Sequence, residues 1–148
     1  MPVTLFDYES LRTDFEHIVH GRWVAQQNIH LTLQFFAQIY EKEFILNTLD
    51  NLHLQAKTSE LKGLELLNHS VILYAKTQNS SLFCLHEKIQ DAFGLCDTQE
   101  FTPHVTLMRI KNVPHDELLQ KRLLQYEKNV VGKVHGEIFL MQSHLNPE

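Results

Sequence analysis

Two tetrapeptides, HLTL at 30–33 and HVTL at 104–107, limit most narrowly what this chain can fold into. Each lies in a longer apolar run, NIHLTLQFF (28–36) and FTPHVTLMRI (101–110). In a strand, alternate side chains face opposite ways, so His and Thr share one face and their apolar neighbours share the other. Leu31 and Leu33 can then enter one core, and Val105 and Leu107 another. His30 with Thr32, and His104 with Thr106, are left on the opposite faces. The chain has ten His, so chance supplies about one His-x-Ser/Thr spacing. Requiring an apolar residue between and a Leu after takes the expectation well below one, yet two are present.

The order of elements around the two runs repeats. DYESLRTDFEHIVH (7–20) carries Leu11, Phe15, Ile18 and Val19 at helical spacing, with Asp7 as cap and Gly21 as stop. The strand NIHLTLQFF follows, then a second helix over 41–55 with Phe44, Ile45, Thr48, Leu49 and Leu52 on one face. Strands are expected at 61–67 and 70–76. A helix over 79–94, capped by Asn79 or Ser80 and stopped by Gly94, leads into the strand FTPHVTLMRI. A helix over 115–126 and a last strand over 133–145 complete the order. The expected fold is α+β: two pseudo-symmetric lobes of antiparallel sheet with outer helices and a cleft between them, in one domain spanning 1–148.

Composition narrows the function. The 148 residues suffice for one buried core. Thirteen Lys and Arg against eighteen Asp and Glu give a formal charge of −5. That argues against gripping a long duplex, which needs many phosphate contacts, but leaves room for handling one phosphate at a nucleic-acid end. No membrane-length apolar run or leader is read, and Cys84 and Cys96 show no metal-ligand spacing. A cytosolic protein with free thiols, no membrane association and a monomeric state is the expectation.

If the lobes face one another, the four polar groups converge, and their chemistry suits a phosphodiester. Displacement at phosphorus runs roughly in line, with attacking and leaving oxygens on opposite sides. A base is needed on one side and an acid on the other, and imidazole can do either near neutral pH. Thr hydroxyls are short, uncharged donors for the non-bridging oxygens. The scheme needs no metal and no cofactor.

On these residues the chain resembles the two-histidine (2H) phosphoesterases, and among them the bacterial RNA 2′,3′-cyclic phosphodiesterases, also called 2′-5′ RNA ligases. GRWVAQQNIHLTLQFF is similar to the family's first motif region and EFTPHVTLMRI to its second. Trp23, Val24, Asn28, Phe101, Pro103 and Arg109 stand where the family often has such residues. The resemblance implies that His30 is the proton donor to the leaving oxygen and His104 the base that activates water. It implies phosphate binding by Thr32 and Thr106, with Arg109 helping. In a regular strand Arg109 faces away from Thr106, so a bulge or twist is needed to bring it round. The resemblance also implies hydrolysis of RNA ends or nucleotides bearing a 2′,3′-cyclic phosphate to a 2′-phosphate, with 2′-5′ joining as the reverse. Family members usually open with an apolar strand and run past a sequence like SHLNPE, so both edge strands are expected to be short or missing here. Ala37 stands where a Gly is common.

Two other readings stand beside this one: a 2H relative acting on small cyclic phosphates or 2′-5′ oligonucleotides, and a non-catalytic module that binds RNA ends. His17 and His20 are spaced i, i+3 without a third ligand and read as helix surface. His53, His69, His86, His115, His135 and His144 show no partner pattern. Of Phe35, Phe36 and Phe101, which could stack a base, at least two are expected in the core. Arg22 and Lys111 are either surface charge or part of an RNA path.

Overall fold

Asp7 starts the first helix as expected: its carboxylate accepts from the Ser10 amide at 3.1 Å. Helix α1 (Tyr8–Phe15) buries Tyr8, Leu11 and Phe15. The computed structural model describes residues 1–69 and 71–144. The helix does not run on to Gly21. The chain turns after Glu16, buries Ile18 and Val19, and enters a strand that sequence reading missed.

That strand is β2 (His20–Trp23); β1 (Val3–Leu5) precedes α1, and α2 (Lys42–Leu52) follows β2. Next come β3 (Ser59–Lys62), β4 (Leu64–Leu67), β5 (Ile72–Lys76) and α3 (Ser81–Phe93). β6 (His104–Asn112), α4 (Asp116–Tyr126) and β7 (Val130–Val134) complete the described elements. The strands form two antiparallel sheets, in the orders β1-β7-β3 and β2-β6-β5-β4. With four helices, this is the α+β architecture expected. Helix α1 packs with α4, and α2 with α3. Among the described residues no helix is long and apolar enough to cross a membrane.

The expected strand over 61–67 is two strands in different sheets, with Gly63 between them. Its φ of +83° lies in the left-handed region open to glycine, and there the chain leaves the β7 sheet for the β5 sheet. The apolar MPVTLF does form an edge strand, β1, only three residues long. The last strand is shifted: β7 starts at Val130 and ends at Val134. Beyond it, Pro2 accepts from the His135 amide at 2.8 Å but pairs with His30 instead of extending the ladder. Residues 135–144 form no strand, although Ile138 and Leu140 still pack on the core between exposed neighbours. Residues 70 and 145, at the ends of two expected strands, lie outside the described residues.

NIHLTLQFF is not a full strand either. Residues 26–28 form a turn of 3-10 helix, and only His30 and Leu31 make isolated antiparallel bridges, to Pro2 and Val105. The physical reason lies in the next residues. The Leu33 carbonyl accepts from the His86 side chain at 2.6 Å and not from a strand. Phe36 leaves to pack on Phe93, with ring centroids 4.7 Å apart. Ala37 then sits at φ +51°, a conformation where glycine is unstrained.

Gly21 does different work from the helix stop expected of it. A Cβ there would meet the Arg109 carbonyl oxygen at 2.2 Å, so only glycine lets β2 lie this close on β6. Gly21→Ala should lower stability by about 1–3 kcal/mol, measured as a fall in the urea midpoint. Between α1 and α4, Tyr126 donates to Asp14, and Arg122 lies 3.4 Å from the other Asp14 oxygen. Burial first, and then the bond to Asp14, raise the Tyr126 phenol above its ordinary range. A raised phenol stabilises the folded state below the unfolded value of about 10. The stability gap between wild type and Tyr126→Phe should therefore shrink as pH rises above about 10, followed by urea melts at each pH.

Candidate active site

β6 delivers the second HxT as an ordinary strand. Val105 and Leu107 are 0% exposed while His104 and Thr106 are half-buried on the other face. The first HxT is held by its bridge instead. Leu31, also 0% exposed, pairs antiparallel with Val105. Residues directly opposite in an antiparallel pair project to the same face. About this bridge His30 stands across from Thr106, and Thr32 across from His104. The two His are then diagonal neighbours, for which Cα separations of about 7–8 Å are usual.

Both imidazoles are anchored in the same way. His30 Nδ1 lies 2.7 Å from the Asn28 carbonyl oxygen, and His104 Nδ1 lies 2.7 Å from that of Thr102. Each acceptor sits two residues before its His. A carbonyl can only accept, so each Nδ1 carries a hydrogen, and the bond leaves each Nε2 as the ring nitrogen not engaged by that anchor.

Arg109 reaches this face through a bulge. On β5, Tyr74 pairs with Thr106 and Leu73 with Met108, so Leu107 has no opposite residue; Ile72 then pairs with Arg109. Ile72 and Tyr74 share a face of β5, so Thr106 and Arg109, three residues apart, share the corresponding face of β6. Leu107 and Met108 are thereby both buried. Arg22 is opposite Arg109 on β2 and faces the same way. Arg109 and Arg22 are both exposed.

Sequence reading missed the β5 side of the site. Lys76 pairs with His104, and the Tyr74 ring meets the His104 ring edge-on at 5.7 Å. Tyr74 donates to Glu65 at 2.8 Å, and Lys76 lies 2.6 Å from the other Glu65 oxygen. Lys76, and less strongly Tyr74, hold the Glu65 carboxyl below its usual range. Burial first, then the bond to Glu65, push the Tyr74 phenol up. An aromatic wall and a neutralised cation thus flank His104. The signal available was the alternation of Tyr74 and Lys76 with buried Leu73 and Ala75, which places them on one face but names no neighbour.

Of the three phenylalanines weighed for base stacking, Phe36 and Phe101 pack against the core and Phe35 is 76% exposed. Among the described residues no group of three or more His, Cys, Asp or Glu could hold a metal ion. Two surface hollows, one lined by Val3–Leu5, Gln26, Gln27 and Ile29 and one by residues 54–56 and 136–138, include none of the HxT residues.

The chain is similar to known proteins. A protein named RNA 2′,3′-cyclic phosphodiesterase from Methanocaldococcus jannaschii is 25% identical over 84% of this chain and 76% of its own length. One of the same name from Aquifex aeolicus is 26% identical over 85% and 77%. Among solved structures, E. coli LigT complexed with 3′-AMP superposes with a TM-score of 0.55 at 21% identity, covering 72% of this chain and 69% of LigT. A Thermus thermophilus protein does so at 0.54 and 21% identity, covering 72% and 70%. These two show the same fold. The family model of the AKAP7 2′5′ RNA ligase-like domain matches residues 9–143. With that match over nearly its whole length, the chain belongs to the AKAP7 2′5′ RNA ligase-like domain family, within the 2H phosphoesterases.

Proposed function

We propose that this protein hydrolyses 2′,3′-cyclic phosphate ends of RNA to a 2′-phosphate, with His30 and His104 as its acid and base. The observation that carries the reading is the pair of matched anchors: each His Nδ1 is tied to the carbonyl two residues back. A structural imidazole can bond through either nitrogen. Two that bond alike, one on each side of the Leu31–Val105 bridge, suit a reaction with one proton transfer on each side of phosphorus. The relatives named RNA 2′,3′-cyclic phosphodiesterase support the substrate class.

In the proposed reaction His104 Nε2 takes a proton from water as its oxygen bonds to phosphorus. The P–O3′ bond breaks on the far side, and His30 gives its Nε2 proton to the departing 3′-oxygen. The product keeps the phosphate on the 2′-oxygen, and one proton has been taken up and one released. Thr32 and Thr106 donate to the non-bridging oxygens as charge builds, and Arg109 adds a positive charge on the same face. Two imidazoles supply the acid and the base, so the scheme calls for no Lewis acid. With a 5′-hydroxyl in the place of water the same displacement, with His104 still the base and His30 still the acid, would give a 2′-5′ link; cleavage of that link back to the cyclic phosphate would exchange the roles. LigT, which shares the fold, has been solved in complex with 3′-AMP, a nucleotide with a terminal phosphate.

His30→Ala and His104→Ala should each lower kcat on a nucleoside 2′,3′-cyclic phosphate by about 10² to 10⁴. The double variant should be little worse than the worse single, because the two act as a unit. Circular dichroism should show all three folded. Near-normal turnover in either single variant would rule out this assignment. Activity should also survive excess EDTA; loss on chelation with recovery on added Zn²⁺ or Mg²⁺ would convert the His from proton carriers to ligands.

A further inference from the structure

His86 has no place in this chemistry, yet it is the one buried polar or charged residue among those described, at 6% exposure. It sits on α3 and reaches three other segments. Its Nδ1 lies 2.6 Å from the Leu33 carbonyl oxygen, and its Nε2 lies 3.2 Å from Asp97. Its ring lies flat on Phe101, with centroids 4.1 Å apart and planes 11° from parallel. Leu33 directly follows Thr32. Phe101 directly precedes Thr102, whose carbonyl anchors His104. One side chain therefore touches the chain beside both HxT motifs, from behind the face that carries them.

The two polar contacts constrain the ring further. A carbonyl only accepts, so Nδ1 carries its hydrogen toward Leu33, while Nε2 on the other side of the ring faces the Asp97 carboxylate at 3.2 Å. The first HxT needs such a tie: beyond Leu31 no strand holds it, and the Leu33 carbonyl is bound to this side chain in place of a ladder.

We propose that His86, held by Asp97, is a positioning residue. It fixes the backbone of Leu33 and the stacking of Phe101, and so sets Thr32 and His104 at their working distance. The catalytic part of this inference rests on the phosphodiesterase reading above.

The test uses the full chain with Asp97→Asn and His86→Gln. Asp97 is half-exposed, its side chain at 45%, so its replacement leaves the core in place even where His86→Gln does not fold. One readout is kcat and KM on a nucleoside 2′,3′-cyclic phosphate. The other is amide hydrogen exchange in peptides covering 31–36 and 101–106, with β7 as the internal reference. Asp97→Asn should accelerate exchange in both segments, leave β7 unchanged, and lower kcat about 10-fold to 100-fold with little change in KM, as for small misplacements of reacting groups. A merely structural His86 would loosen β7 as well and leave kcat of the folded fraction intact. Unchanged exchange in both segments, or wild-type kcat in a folded variant, would overturn the proposal. A wild type inactive on the cyclic nucleotide would defeat the phosphodiesterase reading instead, and the exchange pattern would still decide the clamp.

Discussion

The single antiparallel bridge between Leu31 and Val105 is the contact on which the rest of the site depends. Both side chains are fully buried, and the polar residues on either side of each cannot follow them without losing their hydrogen bonds to water. Core formation therefore turns His30, Thr32, His104 and Thr106 outward together. The bridge also joins the sheets: Leu31 meets β6 of the four-stranded sheet, while His30 beside it meets Pro2, which continues β1 of the three-stranded one. Apolar burial at one residue pair thus aligns two halves of polar chemistry.

What could be read beforehand was what local rules govern. The Asp7 cap, the left-handed Gly94 after α3 and the side-chain parity of HVTL each depend on near neighbours. The four HxT residues were legible for that reason, and because they occur twice. β2 was not, since His20, Gly21 and Arg22 are all exposed and offer no apolar alternation. The extent of the first HxT strand was overestimated because its apolar pattern persists after its backbone partners change. His86 was invisible: its bond to Leu33 crosses 53 positions of sequence, and its neighbours on the helix give no hint of it.

The bulge at Leu107 shows how little separates the two faces of a strand. In a regular strand Arg109 would lie with Leu107 against the core. One extra residue lets Leu107 and Met108 both go inward and returns Arg109 to the side of Thr106. Carrying a guanidinium onto this face therefore costs one unpaired position, and the backbone there is not idle. The Leu107 carbonyl accepts from the Val24 amide at 2.8 Å, just past the end of β2.

The order of strands in the smaller sheet has a consequence for how the chain is made. β7 lies in the middle, between β1 and β3. On the ribosome both outer strands emerge long before the one that joins them, and neither can pair until Val130–Val134 has left the exit tunnel. Closure of so long a loop is slow compared with local pairing. Until then the inward sides of β1 and β3 are open strand edges, the feature most prone to pairing with a neighbouring nascent chain. Both are short, at three and four residues, which limits the template each offers during that wait.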